Sequence, residues 1–216
     1  MLAWHFLKAD RKLAYSPHTP VFTGQMLTVD PDRLELCAYG LHASERALDA
    51  LKYAPGPIVC RVQLGGRILT GEDKLCASER TVIAMADATG TLRAFARACA
   101  LDVIDNWNAP AVVREYLETG NEDLRIVAWS AASAAESAAR SVASESAARS
   151  AAGAAAAAEA SESAAWSAAR SVAWLAAESA ARSVAESAES AARSVAESKQ
   201  NKQFEAMLFD LLQLQG

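Results

Sequence analysis

"ESAARSVAESAESAARSVAES", residues 178–198, reads as a helix without large core side chains. Its biggest apolar residue is Val, and Ala and Ser supply most of the rest. The segment repeats after 11 residues, "ESAARSVAESA" and then "ESAARSVAESK". At about 100° per residue, Glu178, Arg182 and Glu186 fall within one arc of roughly 80°. Ser179, Ser183 and Ser187 form the next stripe, and Ala180, Ala181, Val184, Ala185 and Ala188 take the remainder. Glu136–Arg140, Glu145–Arg149, Glu178–Arg182 and Glu189–Arg193 are i,i+4 pairs in the favourable order, each worth about 0.2–0.5 kcal/mol. An 11-residue repeat stays close to the period of a straight helix. Small side chains bury little area per turn but let two helix backbones approach closely. The stretch therefore predicts closely packed helices, in a hairpin or bundle or between subunits through Ala/Val faces, with Trp129, Trp166, Trp174 and Leu175 as larger anchors.

Working outward, the bias is confined to one part of the chain. From Ser130 to Ser198, 31 of 69 residues are Ala and 17 are Ser. One unbroken helix from Glu122 to Ser198 would be roughly 115 Å long at 1.5 Å per residue. The register breaks around Gly153, which costs a helix interior about 1 kcal/mol relative to Ala, so a turn or kink is expected between Gly153 and Ser163. Phased stripes argue against low-complexity disorder. The tail also resembles the helical antifreeze proteins, but these use one Thr per repeat, and here there are three Ser and no Thr. Beyond it, Phe204, Met207, Leu208, Leu211 and Leu212 recur at helical spacing and should dock on a hydrophobic surface.

The first part holds the mixed composition of an ordinary core. Strands are expected at Ala3–Lys8 and Met26–Val29, with a loop at Asp30-Pro31-Asp32. A helix after "GLHAS" has Ser44 as its N-cap, worth about 1 kcal/mol, and turns Ala47, Leu48, Leu51 and Ala54 inward. "IVCRVQL" (58–64) reads as a strand, Gly65-Gly66 as a hairpin turn and "RIL" (67–69) as the returning partner. "ERTVIAMA" (79–86) is a further strand, and residues 91–107 and 110–120 are helical, with Pro110 in a first turn. The fold class is α+β: a small mixed α/β recognition domain over 1–107, then a helical region over 108–216.

Charge excludes some roles. There are 13 Lys+Arg against 14 Asp+Glu up to Gly120 and 8 against 12 beyond it, so a surface for nucleic acid is not expected. Cys37, Cys60, Cys76 and Cys99 contain no C-x-x-C pair, and reduced thiols are expected. No signal-peptide core or membrane span is read, which points to the cytoplasm. His5, His18 and His42 are too scattered for a zinc site, so no metal is expected.

The run Tyr39–Ile83 resembles an uncharacterised domain found in phage and prophage proteins. The motif residues are Gly40-Leu41-His42, Tyr53, the strand Ile58–Leu64 and Asp73-Lys74. That resemblance implies a viral or mobile-element origin, host cytoplasm as location, and no known activity. More remotely, the order of strand, His-Ala-Ser, helix, strand and acidic segment is similar to the ADP-ribosyltransferase fold. This implies NAD as cofactor, His5, Ser44 and Glu79 as catalytic residues, and His42 and Tyr53 as cofactor contacts. A carboxylate would there stabilise an oxocarbenium-like centre. The chain has no Ser-Thr-Ser triplet and no Glu-x-Glu, only Glu79-Arg80-Thr81, so this reading ranks second. Plainer roles stand beside these: a hydrogen-bonded structural His42, an outward-facing His5, and a Glu79–Arg80 surface pair. The leading expectation is a non-enzymatic interaction protein that binds a host or viral protein, with the helices setting assembly. A purely structural assembly protein is the third.

Overall fold

The computed structural model describes residues 1–13, 19–138, 142–157, 162–182 and 189–214. The chain is α+β, a mixed α/β region followed by a run of helices. It divides into two compact units, Met1–Thr89 with Phe204–Gly216, and Gly90–Gln203. The boundary expected at 107/108 lies inside the second unit, and the end of the chain belongs with its beginning.

The first unit holds β1 (Leu2–Leu7), β2 (Met26–Thr28), β3 (Leu41–Ala43), α1 (Ala47–Lys52), β4 (Ile58–Thr70) and β5 (Leu75–Asp87). All pairs are antiparallel in the order β1-β4-β5-β2, and β3 also pairs with β5. Trp4 and Ser44 exchange two backbone hydrogen bonds of 2.7 and 2.9 Å, which joins the end of β3 to β1 and curls the sheet on itself. Alternation along the strands sends Ala3, Leu7, Ile58, Cys60, Val62, Leu64 and Val82 into one buried cluster. Trp4 and Phe6 are buried from the other side of β1. There Phe209 meets Trp4 edge-on, with ring centres 5.2 Å apart, and the Arg61 guanidinium lies 4.4 Å from the Trp4 ring centre. Phe209 lies on α7 (Glu189–Leu212), the helix whose Phe204 and Leu208 are fully buried. The expected docking of that hydrophobic segment is thus met within the first unit.

Two local expectations change. Gly65-Gly66 is a bulge inside β4, not a hairpin turn. Gly65 pairs with Glu79 and Ile68 with Ala77, so Gly66 and Arg67 oppose Ser78 alone. Gly66 takes φ +63°, a Cβ there would collide with the Ser78 hydroxyl, and that hydroxyl accepts the Arg67 N–H at 2.9 Å, the two-against-one pattern of a glycine bulge. Nor does Ser44 cap α1. It is buried in the Trp4 pairing, and the Ala47 N–H donates to Glu205 Oε1 at 3.1 Å instead. Tertiary structure supplies the cap that sequence assigned locally.

The second unit is helical: α2 (Thr89–Leu101, from Gly90 on), α3 (Ala111–Thr119), α4 (Glu122–Ala138), α5 (Val142–Ala157), α6 (Glu162–Arg182) and the first part of α7. Leu92, Phe95, Val113, Tyr116 and Leu117 make a conventional core near its start. Along α4–α6 the buried residues become mostly Ala, among them Ala128, Ala132, Ala147, Ala148, Ala151, Ala155, Ala173 and Ala176, with Val172, Ser150 and Ser179 between them. Gly153 sits inside α5, where a Cβ would come 2.9 Å from Val172 Cγ2 of α6. It serves close approach instead of breaking the helix. Residues 158–161, within the window expected to hold a turn or kink, lie outside the described residues. Glu145–Arg149 forms its i,i+4 pair, and Arg149 also bonds Glu136 across α4 and α5 at 2.8 Å. The other three expected pairs rest on side chains outside the described set, as does the Trp166 anchor. Trp129 and Trp174 are 47% and 56% exposed. Indoles do not fit between helices spaced for Ala and Gly, so they stay outside rather than anchor.

Candidate functional site

The separated pieces "GLH", Tyr53 and Asp73-Lys74 converge at one edge of the first unit. β3 carries His42 opposite Cys76 of β5, α1 ends at Tyr53, and Asp73-Lys74 form the β4–β5 turn. His42 Nδ1 lies 3.1 Å from the Gly40 carbonyl, and His42 Nε2 accepts the Cys37 N–H at 3.1 Å. These partners assign the proton to Nδ1. Burial, only partly offset by the Gly40 carbonyl, lowers the His42 pKa, and Arg80 and Lys74 add to the lowering. The imidazole is therefore a neutral strut. It holds a turn in which Cys37 takes φ +68° and presents an exposed thiol.

Lys74 ties the turn to α1. Its ammonium lies 4.3 Å from the Tyr53 ring centre. Hydrogen bonds to Tyr53 and then to Cys37 hold its pKa above the usual lysine range. The Tyr53 hydroxyl donates to Asp73 at 2.8 Å, and Lys52 bridges Asp49 at 2.8 Å and Asp73 at 3.7 Å. Cys76 donates to the Tyr39 carbonyl at 3.3 Å beneath the turn, and burial followed by Cys37 raises its pKa. The result is a fixed surface of thiol, phenol, ammonium and carboxylate.

Inside the curled sheet lies a second group. His5 is in register with Cys60, and Leu64 with Arg80, which puts His5, Cys60 and Arg80 on one face. Arg80 is 2% exposed and donates from Nη1 to the His42 carbonyl at 2.8 Å, so Glu79–Arg80 is not a surface pair. Burial lowers Arg80 to about 10 and pushes the Cys60 thiol up to about 12. His5 is held well below its ordinary value, by burial first and then by the charges of Arg80 and His42.

Residues 4–94 match a domain of unknown function, DUF7666. The match covers less than half of the chain and contains both groups. No curated protein and no solved structure matches the chain.

The structure brings His42 and Tyr53 together through Cys37 and Lys74. It does not bring His5, Ser44 and Glu79 together. His5 faces Cys60 and Arg80, whereas Ser44 pairs with Trp4 and lies on the Trp4 side of β1. Glu79 precedes Arg80 on the strand and faces away from it, toward Gly65. Cys37 and Arg80 were missed as site residues. For Arg80 a signal existed: its alternation with Val82 puts a charge at a core-facing position. Among the described residues no cluster of three metal-ligating side chains occurs. No described helix is long and apolar enough to cross a membrane.

Proposed function

We propose that this is a non-enzymatic interaction protein whose first unit recognises a partner protein, host or viral, while the Ala-rich helices set assembly. A phage or prophage origin belongs to the reading on the strength of the Gly40-Leu41-His42, Tyr53 and Asp73-Lys74 resemblance. The supporting observation is the occupancy of His42. Both ring nitrogens are engaged by backbone groups, so the motif histidine is held as a strut rather than offered as a general base, while the cluster displays Tyr53, 51% exposed, beside Lys74. A rigid aromatic with a cation and a carboxylate beside it suits recognition of a protein surface. Exposed Ile126, Val127, Trp129 and Trp174 give the helical unit apolar surface for assembly.

The test uses the full chain, because truncation at Gly120 would strip Phe209 and Glu205 from the first unit. Tagged protein and a Tyr53→Ala/Lys74→Ala variant are compared by pull-down from host cells with mass spectrometry. A protein captured by the first and lost from the second is expected. Identical captures would overturn the assignment to this cluster. Sedimentation of Trp129→Ser/Trp174→Ser should show a smaller assembly than the parent.

A further inference from the structure

We propose that Cys37 and Cys76 are a thiol pair oxidised by small peptide disulfides of the glutathione class, Cys37 attacking and Cys76 resolving. Both are free thiols, Cys37 exposed and Cys76 buried, and one turn brings them together. Glu35 and Tyr39 exchange two backbone hydrogen bonds, each of 2.9 Å, which close a turn with Cys37 at its middle. Cys76 Sγ sits at the neck of that turn, 3.3 Å from the Tyr39 carbonyl oxygen and 3.9 Å from that of Glu35. Gly40 leaves it room, since a Cβ there would collide with the sulfur. His42 lies directly opposite Cys76 on the paired strands, and residues so paired share one face of the sheet. The same His42 accepts the Cys37 N–H at 3.1 Å, so the Cys37 backbone is anchored to the side chain next to Cys76. A disulfide needs Cα atoms about 4.4–6.8 Å apart, the scale of a turn this short. Glu35, Cys37 and Ala38 are exposed, so little packing opposes the small movement that joins the sulfurs. Lys74, which bonds the Cys37 thiol, offers an ammonium to the carboxylates of a peptide disulfide. Cys60 and Cys99 are buried, and burial pushes the Cys60 thiol up to about 12, so neither competes for the oxidant.

Cys37 gives up its proton and attacks one sulfur of the small disulfide. That S–S bond breaks, a mixed disulfide forms on Cys37, and the first small thiol leaves with the proton. Cys76 then attacks the Cys37 sulfur, an internal Cys37–Cys76 bond replaces the mixed one, and the second small thiol leaves with the Cys76 proton. The two protein thiols lose two electrons, which reduce the small disulfide to two thiols. The pair does not rest on the function proposed above and would stand if no partner were captured. In the experiment the full chain is treated with oxidised glutathione, quenched with acid at intervals and mapped by non-reducing peptide mass spectrometry. A glutathionyl group should appear on Cys37 and then be lost as a Cys37–Cys76 cross-linked peptide forms. Cys76→Ser should keep the group on Cys37, and Cys37→Ser should take up none. Cys76→Ala replaces the serine variant if that one does not fold. A group that lasts as long in the parent as in Cys76→Ser, or labelling of Cys76 in Cys37→Ser, would overturn the pair. So would a Cys37 left unmodified, or cross-links between chains in place of the internal one.

Discussion

The two units solve the same packing problem with opposite materials. The first buries a few large side chains, Trp4, Phe6, Leu7, Leu51 and Leu64, around a curled sheet. The stretch α4–α6 buries mostly Ala, with Gly153 at the tightest approach. A large buried side chain contributes about 1.5–3 kcal/mol, whereas Ala offers little area and must repeat its contact many times. Stability is therefore concentrated in the large-residue cores, the first unit's sheet and the α2–α3 core of the second, and is spread thinly along α4–α6. The sheet core and the α4–α6 stretch should fail in opposite ways: removing volume harms the first, and adding volume harms the second.

The largest effect is expected from Phe6→Ala, which should cost about 3–5 kcal/mol in urea denaturation. A loss below about 1 kcal/mol, as for an ordinary surface site, would show that the sheet core is not where stability is concentrated. Next comes Gly153→Leu. Helix propensity favours the change by about 1 kcal/mol, but the new side chain meets Val172, whose branched Cβ leaves it few rotamers. A net loss of about 1–3 kcal/mol is expected, with part of it recovered in the Gly153→Leu/Val172→Ala double variant. Stabilisation by the single change would break the contrast.

The same contrast explains what was legible in the sequence. Period-two strands and three-stripe helices advertise themselves, and the α+β class follows from them. Misreadings arose where a distant partner decides. Gly-Gly serves a turn or a bulge equally well, and the Ser78 hydroxyl on the next strand selects the bulge. Ser44 is a good local cap, but Glu205, 158 residues away, reaches Ala47 and leaves Ser44 to pair with Trp4. At the site, the motif pieces were visible as pieces. Their convergence was not, because Cys37, the residue linking His42 to Lys74, belongs to none of them.

A smaller, pH-dependent effect should sharpen the comparison, since both perturbed histidines lie in the first unit. The unfolded chain protonates them near 6.5, whereas burial keeps them neutral in the fold to lower pH. Below 6.5 the unfolded state holds more protons, so stability is full above that value and declines as pH falls through the window beneath it. The slope approaches about 1.4 kcal/mol per pH unit for each histidine. His5→Gln should flatten this slope in urea titrations between pH 6.5 and 5. An unchanged slope would place the loss elsewhere.

The smallest effect is expected at Glu136. Its pair with Arg149 crosses from α4 to α5 beside the Ala contacts, in the position of a clasp. Both side chains still reach water, so screening leaves such a pair about 0.2–1 kcal/mol. Arg149 also keeps Glu145 as a second partner, and the guanidinium is not orphaned when Glu136 becomes Gln. Glu136→Gln should therefore shift the urea midpoint only slightly, and added salt should shrink the difference further. A loss comparable to that of Gly153→Leu would mean that charge, not close approach of small residues, holds α4 against α5.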